Sequence, residues 1–529
     1  MSAMSETEKL ALVTGVAGCV GLAILHEIFR PRGRPHLTHR RGAKLLTKEE
    51  ADTAATAKGH GPFAPPVGFR GLAFGGLWLP FTFAFTGFLW IGAIGVGKTL
   101  LFVQFLRSVL ELVAERGSRA RLFVYDPKRS FGRLVCAALP PHVPVYRLNF
   151  LDRRSVWWDL ARDFRTPAEL HQLASFLIPA DKNEIQKYFR DAARALVFAV
   201  LLGLSVAAPQ SFVLRDVCLI CRDKKRMKHF LSLTPEGKDA ASTYLDATSA
   251  PDVVATLGSC LDKLQIVAAC WQHSKTPFSI TQFMDEEAVL LLELVDSSSE
   301  VQKLLYHLAF RRYSDEVLFR DDPRSLSGAL FDELPSLGEI DLTPLTTKGR
   351  SAGAVVAASA MSLPALEESL GGPQRAKALL DTLRTRAFLT IDSDETAEYC
   401  SKQIGDEEVD EITWPVTDPR GKSQNGRQVN ESHAVKPRRL VTADEIKTLP
   451  ATDFAGGTVA GFFRLPEIGT YRADVRFRDG FPPLAPDPAI PEYDPRPGGE
   501  MRLAPFTAAD LKRLNIPDNK LTRKVFGVV

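Results

Sequence analysis

Gly92-Ala93-Ile94-Gly95-Val96-Gly97-Lys98-Thr99 decides how the rest of the chain reads. The pattern G-x-x-x-x-G-K-T is that of a phosphate-binding loop. Its glycines let backbone N–H groups turn inward around phosphate oxygens. The helix that follows, from Leu100 to about Glu115, presents its positive N-terminal end to the anion. In that arrangement Lys98 reaches the β- and γ-phosphates of ATP, and the Thr99 hydroxyl ligates Mg²⁺. The plain alternative is a chance match in a Gly-rich loop. The apolar run Phe88-Leu89-Trp90-Ile91 before the loop and the amphipathic helix after it favour the phosphate site.

The residues leading into the loop are ambiguous by composition alone. Nothing from Gly71 to Gly97 is charged, and a hydropathy window would read the run as membrane-spanning. A phosphate loop, however, needs an aqueous site at the end of a buried strand. Gly71, Gly75, Gly76, Pro80 and Gly87 also interrupt the run. Phe81-Thr82-Phe83-Ala84-Phe85-Thr86 alternates large and small residues, as a strand would. Phe88–Ile91 is then the buried parallel strand that feeds the loop.

A nucleotide site needs a second element. Ala329-Leu330-Phe331 runs into Asp332-Glu333, an apolar strand ending in two carboxylates. Asp332 can hold Mg²⁺ through water, and Glu333 is placed to orient or deprotonate an attacking water. Asp-Glu pairs without any role are common, so the upstream loop is what gives this one meaning.

The surrounding pattern is α/β. Strands are expected at Arg121–Tyr125, Val143–Leu148, Ala288–Val295, before Asp332, at Ala354–Ser359 and at Ala387–Ile391, with helices between them. This is the pattern of a RecA-like P-loop ATPase with a parallel-sheet core and crossover helices. Between Leu160 and Lys275 strand signals vanish and helical periodicity takes over, which implies an inserted all-α domain. Its basic cluster, Arg222 to His229, suits nucleic acid phosphates or a solvated helix face. The expected plan is a membrane anchor at 1–30, ATPase segments at 31–160 and 276–480 around an all-α insertion at 161–275, and a Pro-rich tail at 481–529.

A chain of 529 residues is too long for one core. A net charge of +3 is too small to announce a nucleic-acid binder, so any basic surface must be local. The seven cysteines are scattered and odd in number, which excludes a disulfide framework and fits a reducing compartment. Cys218 and Cys221 read as helical neighbours, because a structural zinc site needs four ligands. Leu10–Leu25 is uncharged, and arginines cluster after it at 30, 32, 34, 40 and 41. That asymmetry implies a single membrane helix with the bulk of the chain cytoplasmic; the alternative is an amphipathic or buried helix. Gly405–Pro437 is polar and irregular and reads as a flexible surface loop.

The order of several segments resembles one family. Pro127-Lys128 after the second strand is similar to the Asp-Pro-Lys of the type IV secretion coupling proteins of the TraD type. So are Leu148-Asn149-Phe150 through Trp158-Asp159-Leu160, and above all Asp332-Glu333-Leu334-Pro335-Ser336-Leu337-Gly338. Ala365–Gly371, Thr385–Phe388, Glu395–Glu398, Gln403–Gly405, Leu440–Thr442 and Ile446–Leu449 extend the resemblance over 35–480. The resemblance implies a hexameric ATPase of the bacterial inner membrane that binds DNA and uses ATP and Mg²⁺. Such a protein links a relaxase–DNA complex, the relaxosome, to the proteins of a secretion channel in conjugative transfer.

There are departures. Arg129 stands where the family usually has Gly, and Met361 where it often has a Gln expected to sense the γ-phosphate. Members commonly have two membrane helices, and some carry a long acidic C-terminal extension. Here one membrane helix is expected, 480–500 is Pro-rich, and a short helical pattern runs from Ala508 to Leu514. Arg386, with Arg384 second, is the candidate for an arginine reaching a neighbouring subunit's nucleotide; pairing with surface acids is the alternative. Lys348 and Arg350 are candidates for DNA contact in a central channel. Two other functions share these residues: an ATP-regulated adaptor that recruits protein effectors to a secretion channel, and an FtsK-like DNA translocase.

Overall fold

Phe88–Ile91 (β1) is buried on both faces, and each of its four residues is at most 1% exposed. Such a strand must satisfy its backbone on both edges within the protein. Ala120–Asp126 (β2), Val145–Arg147 (β3), Ala288–Glu293 (β4), Leu326–Phe331 (β5), Ala354–Ala360 (β6) and Thr385–Phe388 (β7) supply the parallel neighbours. Thr458–Leu465 (β8) and Gly469–Arg476 (β9) follow late in the chain. In a ten-stranded sheet these nine lie in the order β9-β8-β7-β1-β6-β5-β2-β4-β3, and Leu45–Leu46 is the tenth. Every pairing from β7 to β3 is parallel, whereas β8 and β9 join antiparallel. The fold is therefore α/β with a mixed, mostly parallel sheet, and the expected all-parallel core acquires an antiparallel edge.

The computed structural model describes residues 36–60, 68–180, 184–413, 432–482, 484–485 and 487–528. The membrane anchor expected at 1–30 lies outside them. The chain divides into two units, a large one of Leu46–Tyr399 with Ala443–Val529 and a small one of Met1–Leu45 with Cys400–Thr442.

In the large unit, the run that hydropathy alone would place in a membrane becomes core. Leu72–Phe74 and Leu77–Leu79 form an antiparallel hairpin. Its turn residue Gly75 has φ 58°, and an added Cβ would sit 2.3 Å from the Tyr471 hydroxyl. Phe81–Thr86 is a 3₁₀ helix, not the strand its alternation suggests. Pro80 sets its entry, and the Thr86 hydroxyl donates to the Phe83 carbonyl, so the turn satisfies itself without a partner strand. Lys98–Ala114 (α1) then lays its apolar face on β1, with Phe105 4.4 Å from the Phe88 ring centre and 5.4 Å from that of Trp90.

Between Trp157–Trp158 and Pro277–Phe278, two short strands that pair side by side, every described element is helical. The main helices are Pro167–Leu177 (α2), Glu184–Ala207 (α3), Leu214–Cys221 (α4), Lys224–Leu231 (α5), Pro235–Tyr244 (α6) and Ala250–Trp271 (α7). Val253, Leu257, Leu261, Leu264 and Val267 make the buried stripe of α7 at helical spacing. Cys218 and Cys221 lie buried on α4, and burial pushes the Cys218 thiol up to about 12.

The expected tail is folded. Ala508–Arg513 (α8) and Lys520–Phe526 (α9) pack against the helical insertion. Arg513 pairs with buried Asp216 at 2.8 Å, Arg215 pairs with Asp510 at 3.0 Å, and Phe506 and Phe526 meet edge to face under the Arg226 guanidinium. Of the basic cluster, Arg226 and His229 are engaged by this tail and Lys228 pairs with Asp246, while Arg222, Lys224 and Lys225 are exposed.

The small unit revises another expectation. Asp406–Thr413 and Ser432–Arg439, read from sequence as the ends of a loop, are antiparallel strands, and Asp406–Thr413 lies between Ser432–Arg439 and His36–Gly42. Opposite charges face each other across them, as in Arg439 with Asp406 at 2.6 Å and Arg41 with Glu408 at 2.6 Å. Cross-strand ion pairs replace the apolar alternation by which strands are usually recognised.

Emptying the layer between α1 and β1 should be costly. Phe105→Ala is expected to destabilise the large unit by about 3–5 kcal/mol. Scanning calorimetry would read this as a clear drop in melting temperature, and an unchanged temperature would mean the layer is not the keystone described.

Candidate functional site: a phosphate loop meeting an acidic strand end

The loop at 92–99 leaves the C-terminal end of β1 and enters α1. Gly95 and Gly97 have φ of 80° and 86°, a region that strains residues with a side chain. At Gly97 an added Cβ would lie 2.5 Å from a Val459 methyl, so the loop is also sterically fixed. Lys98 is buried, and its ammonium donates to the carbonyls of Gly92 and Ala93 at 2.6 and 2.7 Å. Burial lowers its proton affinity, while Glu333 and Asp332 oppose that shift. Its charge is thus held by loop carbonyls at the mouth of a helix N-terminus, which suits it to an anion of high charge.

Asp332 and Glu333 follow β5, and β6 lies between β5 and β1. Ser359, near the end of β6, is thereby placed between the two halves of the site. Its hydroxyl donates to Asp332 Oδ1 at 2.9 Å and accepts from the Glu333 N–H at 2.9 Å. That fixes the Asp332 carboxylate so that Oδ2 accepts from the Thr99 hydroxyl at 3.3 Å. Thr99 and Asp332 are the residues that would hold a magnesium ion, and their oxygens converge in a way that fits one.

Glu333 is strained and poised. Its φ of 58° is left-handed for a residue with a side chain. The carboxylate is 8% exposed, and its Oε1 has no hydrogen-bond partner. Burial raises its proton affinity; Lys98, Lys128 and the Met361 N–H pull it back down. An orphaned, basic carboxylate beside a phosphate cradle is equipped to take a proton from water. Ile94, Gly95, Gly97, Lys98, Thr99, Leu100, Lys128, Glu333, Met361 and Phe454 line one cleft of about 190 Å³.

A family model described as type IV secretion-system coupling protein DNA-binding domain matches residues 71–464. The chain belongs to the type IV secretion-system coupling protein family. It is 24% identical over 370 residues to coupling protein TraD of Escherichia coli (strain K12), covering 68% of this chain and 49% of TraD. The chain thus spans about half the length of the curated relative it matches. Its fold is similar to that of the bacterial conjugative coupling protein TrwBdeltaN70, with TM-score 0.66 and 17% identity over 88% of this chain and 98% of that one. A structure of plasmid coupling protein TrwB in complex with ADP and Mg²⁺ aligns with TM-score 0.65 and 17% identity, over 88% and 99% of the two chains.

Within this coupling-protein framework, other residues singled out from sequence fall in different places. Arg386 sits in β7 and is 3% exposed. Its guanidinium donates to the Leu383 and Leu380 carbonyls and to the Tyr399 hydroxyl. Those bonds hold it inside its own chain, which does not suit an arginine that must protrude into a neighbour. The Arg384 side chain is 49% exposed and pairs with the exposed Glu467 carboxylate at 3.6 Å, the surface-acid pairing that the sequence left as the alternative. Lys348 and Arg350 are exposed just before β6, at the sheet edge opposite the phosphate loop.

Arg129, the departure from Gly, has φ 58°, which explains why Gly is the easier residue there. Its guanidinium stacks 4.9 Å from the centre of the Tyr493 ring. Residues 491–496 are pinned alongside: Arg154 donates to the Pro491 carbonyl at 2.7 Å, and Arg496 donates to the Phe150 carbonyl at 2.7 Å and the Ser274 hydroxyl at 2.5 Å. Sequence reasoning missed Ser359, Tyr493 and Arg496. A serine at a strand end and an arginine in a Pro-rich run carry no local signal of such roles.

Asp126 ends β2 beside this cluster and accepts from the backbone N–H groups of Ser130 and Phe131. Burial nonetheless raises its pKa from 3.8 to about 7. The folded state therefore favours the protonated form. The stability this contributes is full below about 3.8 and is lost as pH rises through about 7. Relative to Asp126→Asn, the wild type should lose unfolding free energy across that window in denaturant titrations at several pH values; parallel curves would refute the assignment.

Proposed function

We propose that the chain is an ATP-hydrolysing, DNA-binding coupling protein that links a relaxosome to a type IV secretion channel in conjugative transfer. The observation that carries this reading is the convergence of Lys98, Thr99, Asp332 and Glu333 on one cleft in a member of the coupling-protein family. The TrwB structure with ADP and Mg²⁺ supports a nucleotide in the same fold.

In this reading the N–H groups of 92–99 and Lys98 hold the β- and γ-phosphates. A magnesium ion at Thr99 and Asp332 supplies charge neutralisation on those phosphates. Glu333 orients the attacking water and accepts its proton, and its unpartnered Oε1 is the atom suited to that task. Met361 has no side-chain donor for the γ-phosphate, but its backbone N–H steadies Glu333. Arg384, half-exposed and able to exchange its exposed Glu467 partner, replaces Arg386 as the arginine offered to a neighbouring subunit in a homohexamer. Lys348 and Arg350, exposed opposite the nucleotide edge, are the proposed DNA contacts. The residue plan places the protein at the bacterial inner membrane, with an anchor within 1–30 and the rest cytoplasmic.

The direct test is ATP hydrolysis by a fragment starting near Arg30, with and without DNA, beside Lys98→Ala. A Lys98-dependent rate that DNA raises is expected. Hydrolysis indifferent to every DNA tested would replace this reading with the protein-effector adaptor.

Ser359 gives a finer test. Its lost hydrogen bonds to a buried carboxylate correspond to a roughly ten- to hundredfold fall in kcat for Ser359→Ala. Ser359→Thr should restore most of it, and the acid limb of the pH profile should move in the alanine variant as Glu333 loses its anchored backbone. A fall in kcat without rescue or pH shift would reduce Ser359 to packing.

A further inference from the structure

The polar residues lining the nucleotide cleft, Lys98, Thr99, Lys128 and Glu333, are all suited to phosphates, metal or water. The remaining side chains on the lining are apolar, and Phe454 is the aromatic one. Phe454 is 59% exposed, and Ile94, at the tip of the phosphate loop, is 83% exposed. Single exposed apolar residues need no explanation, but two flanking one ligand cleft do.

The turn that carries Phe454 is built to hold it there. Asp453 and Thr458 close its base through reciprocal backbone bonds, each 3.0 Å. The Asp453 side chain accepts from the Gly456 N–H at 2.8 Å. Arg478 braces the far side by donating to the Phe454 and Ala455 carbonyls at 2.7 and 3.3 Å. The same segment touches the phosphate loop, because a Cβ on Gly97 would meet Val459 at 2.5 Å and the Thr452 hydroxyl at 3.2 Å. The aromatic ring is therefore presented at a fixed place beside the phosphate cradle.

We propose that Phe454 is the stacking platform for the purine base of the nucleotide, with Ile94 as a second apolar contact. This rests on the reading of the cleft as a nucleotide site and adds how the base is held. A phosphate chain anchored at Lys98 and Thr99 leaves its base to the remaining lining, whose side chains are apolar. Stacking on a phenyl face uses the π surface that adenine and guanine share, so it gives affinity with little discrimination between them.

The experiment compares Mg²⁺–ATP, Mg²⁺–GTP and Mg²⁺–tripolyphosphate, which has no base, by titration calorimetry on the full chain. The variants are Phe454→Ala, Phe454→Trp and Lys98→Ala. Phe454→Ala should weaken ATP and GTP by similar factors, roughly tenfold or more given typical base–aromatic stacking, and leave tripolyphosphate unchanged. Phe454→Trp should preserve nucleotide affinity. Equal losses for ATP and tripolyphosphate would overturn the proposal and assign Phe454 to the shape of the loop. A loss that tracks protein concentration would overturn it in favour of contact with a second copy of the chain. Undiminished ATP binding in Phe454→Ala, with Lys98→Ala still deficient, would overturn this inference while leaving the nucleotide site standing. Failure of the wild type to bind any of the three would remove both.

Discussion

The four residues of β1 are buried on both faces and both edges, and that single constraint organises the large unit. A strand with no access to water must find backbone partners within the protein. It takes β6 on one side and β7 on the other, in parallel register. The helix that follows must then return across the sheet and cover it, which brings Phe102 and Phe105 against Trp90. The chain between strand and helix is forced into a tight turn at the sheet's C-terminal edge, and the glycines of 92–97 make that turn possible. The phosphate loop is thus a consequence of how the strand is buried.

Insertion of β6 between β1 and β5 has an equally direct effect on chemistry. The two halves of the cleft, Thr99 and Asp332, are 233 residues apart in sequence and do not sit on adjacent strands. They meet directly through the Thr99 hydroxyl, and the Ser359 hydroxyl on the intervening strand fixes the acidic half by donating to Asp332 and accepting from the backbone of Glu333. The left-handed backbone at Glu333 is the cost of turning two consecutive carboxylates toward the same cleft.

What the sequence made legible follows from the same physics. Spacing revealed the phosphate loop, because its chemistry demands glycine, lysine and threonine at fixed separations. Continuous apolar runs revealed the core strands, since strands buried on both faces have no polar side. The helical insertion announced itself by period. By contrast, Phe81–Thr86 alternates yet coils, because a local proline and a threonine hydroxyl outweigh a two-residue period. The strands at 406–413 and 432–439 were hidden by their charges, whose partners lie in other segments. Arg386 looked available in sequence and is consumed by carbonyls of its own chain. Long-range pairing decided the charged strands, and specific short-range hydrogen bonds decided the other two; a pattern of polar and apolar residues carries neither.

The folded C-terminal segment changes the mechanics of the helical insertion. The chain enters and leaves that insertion through Trp157–Trp158 and Pro277–Phe278, which run side by side. Two adjacent crossings define a hinge line, about which a domain could swing. Residues 491–526 add attachments away from that line, at the Phe150 carbonyl and Ser274 near one end and at Asp216 and the His229–Thr522 contact at the other. A body held along a line keeps one rotational degree of freedom, and a body held at a third, offset point keeps none. Because Tyr493 in this segment also stacks on Arg129, next to Lys128 of the candidate cleft, the strut that removes this freedom is seated at the edge of that cleft.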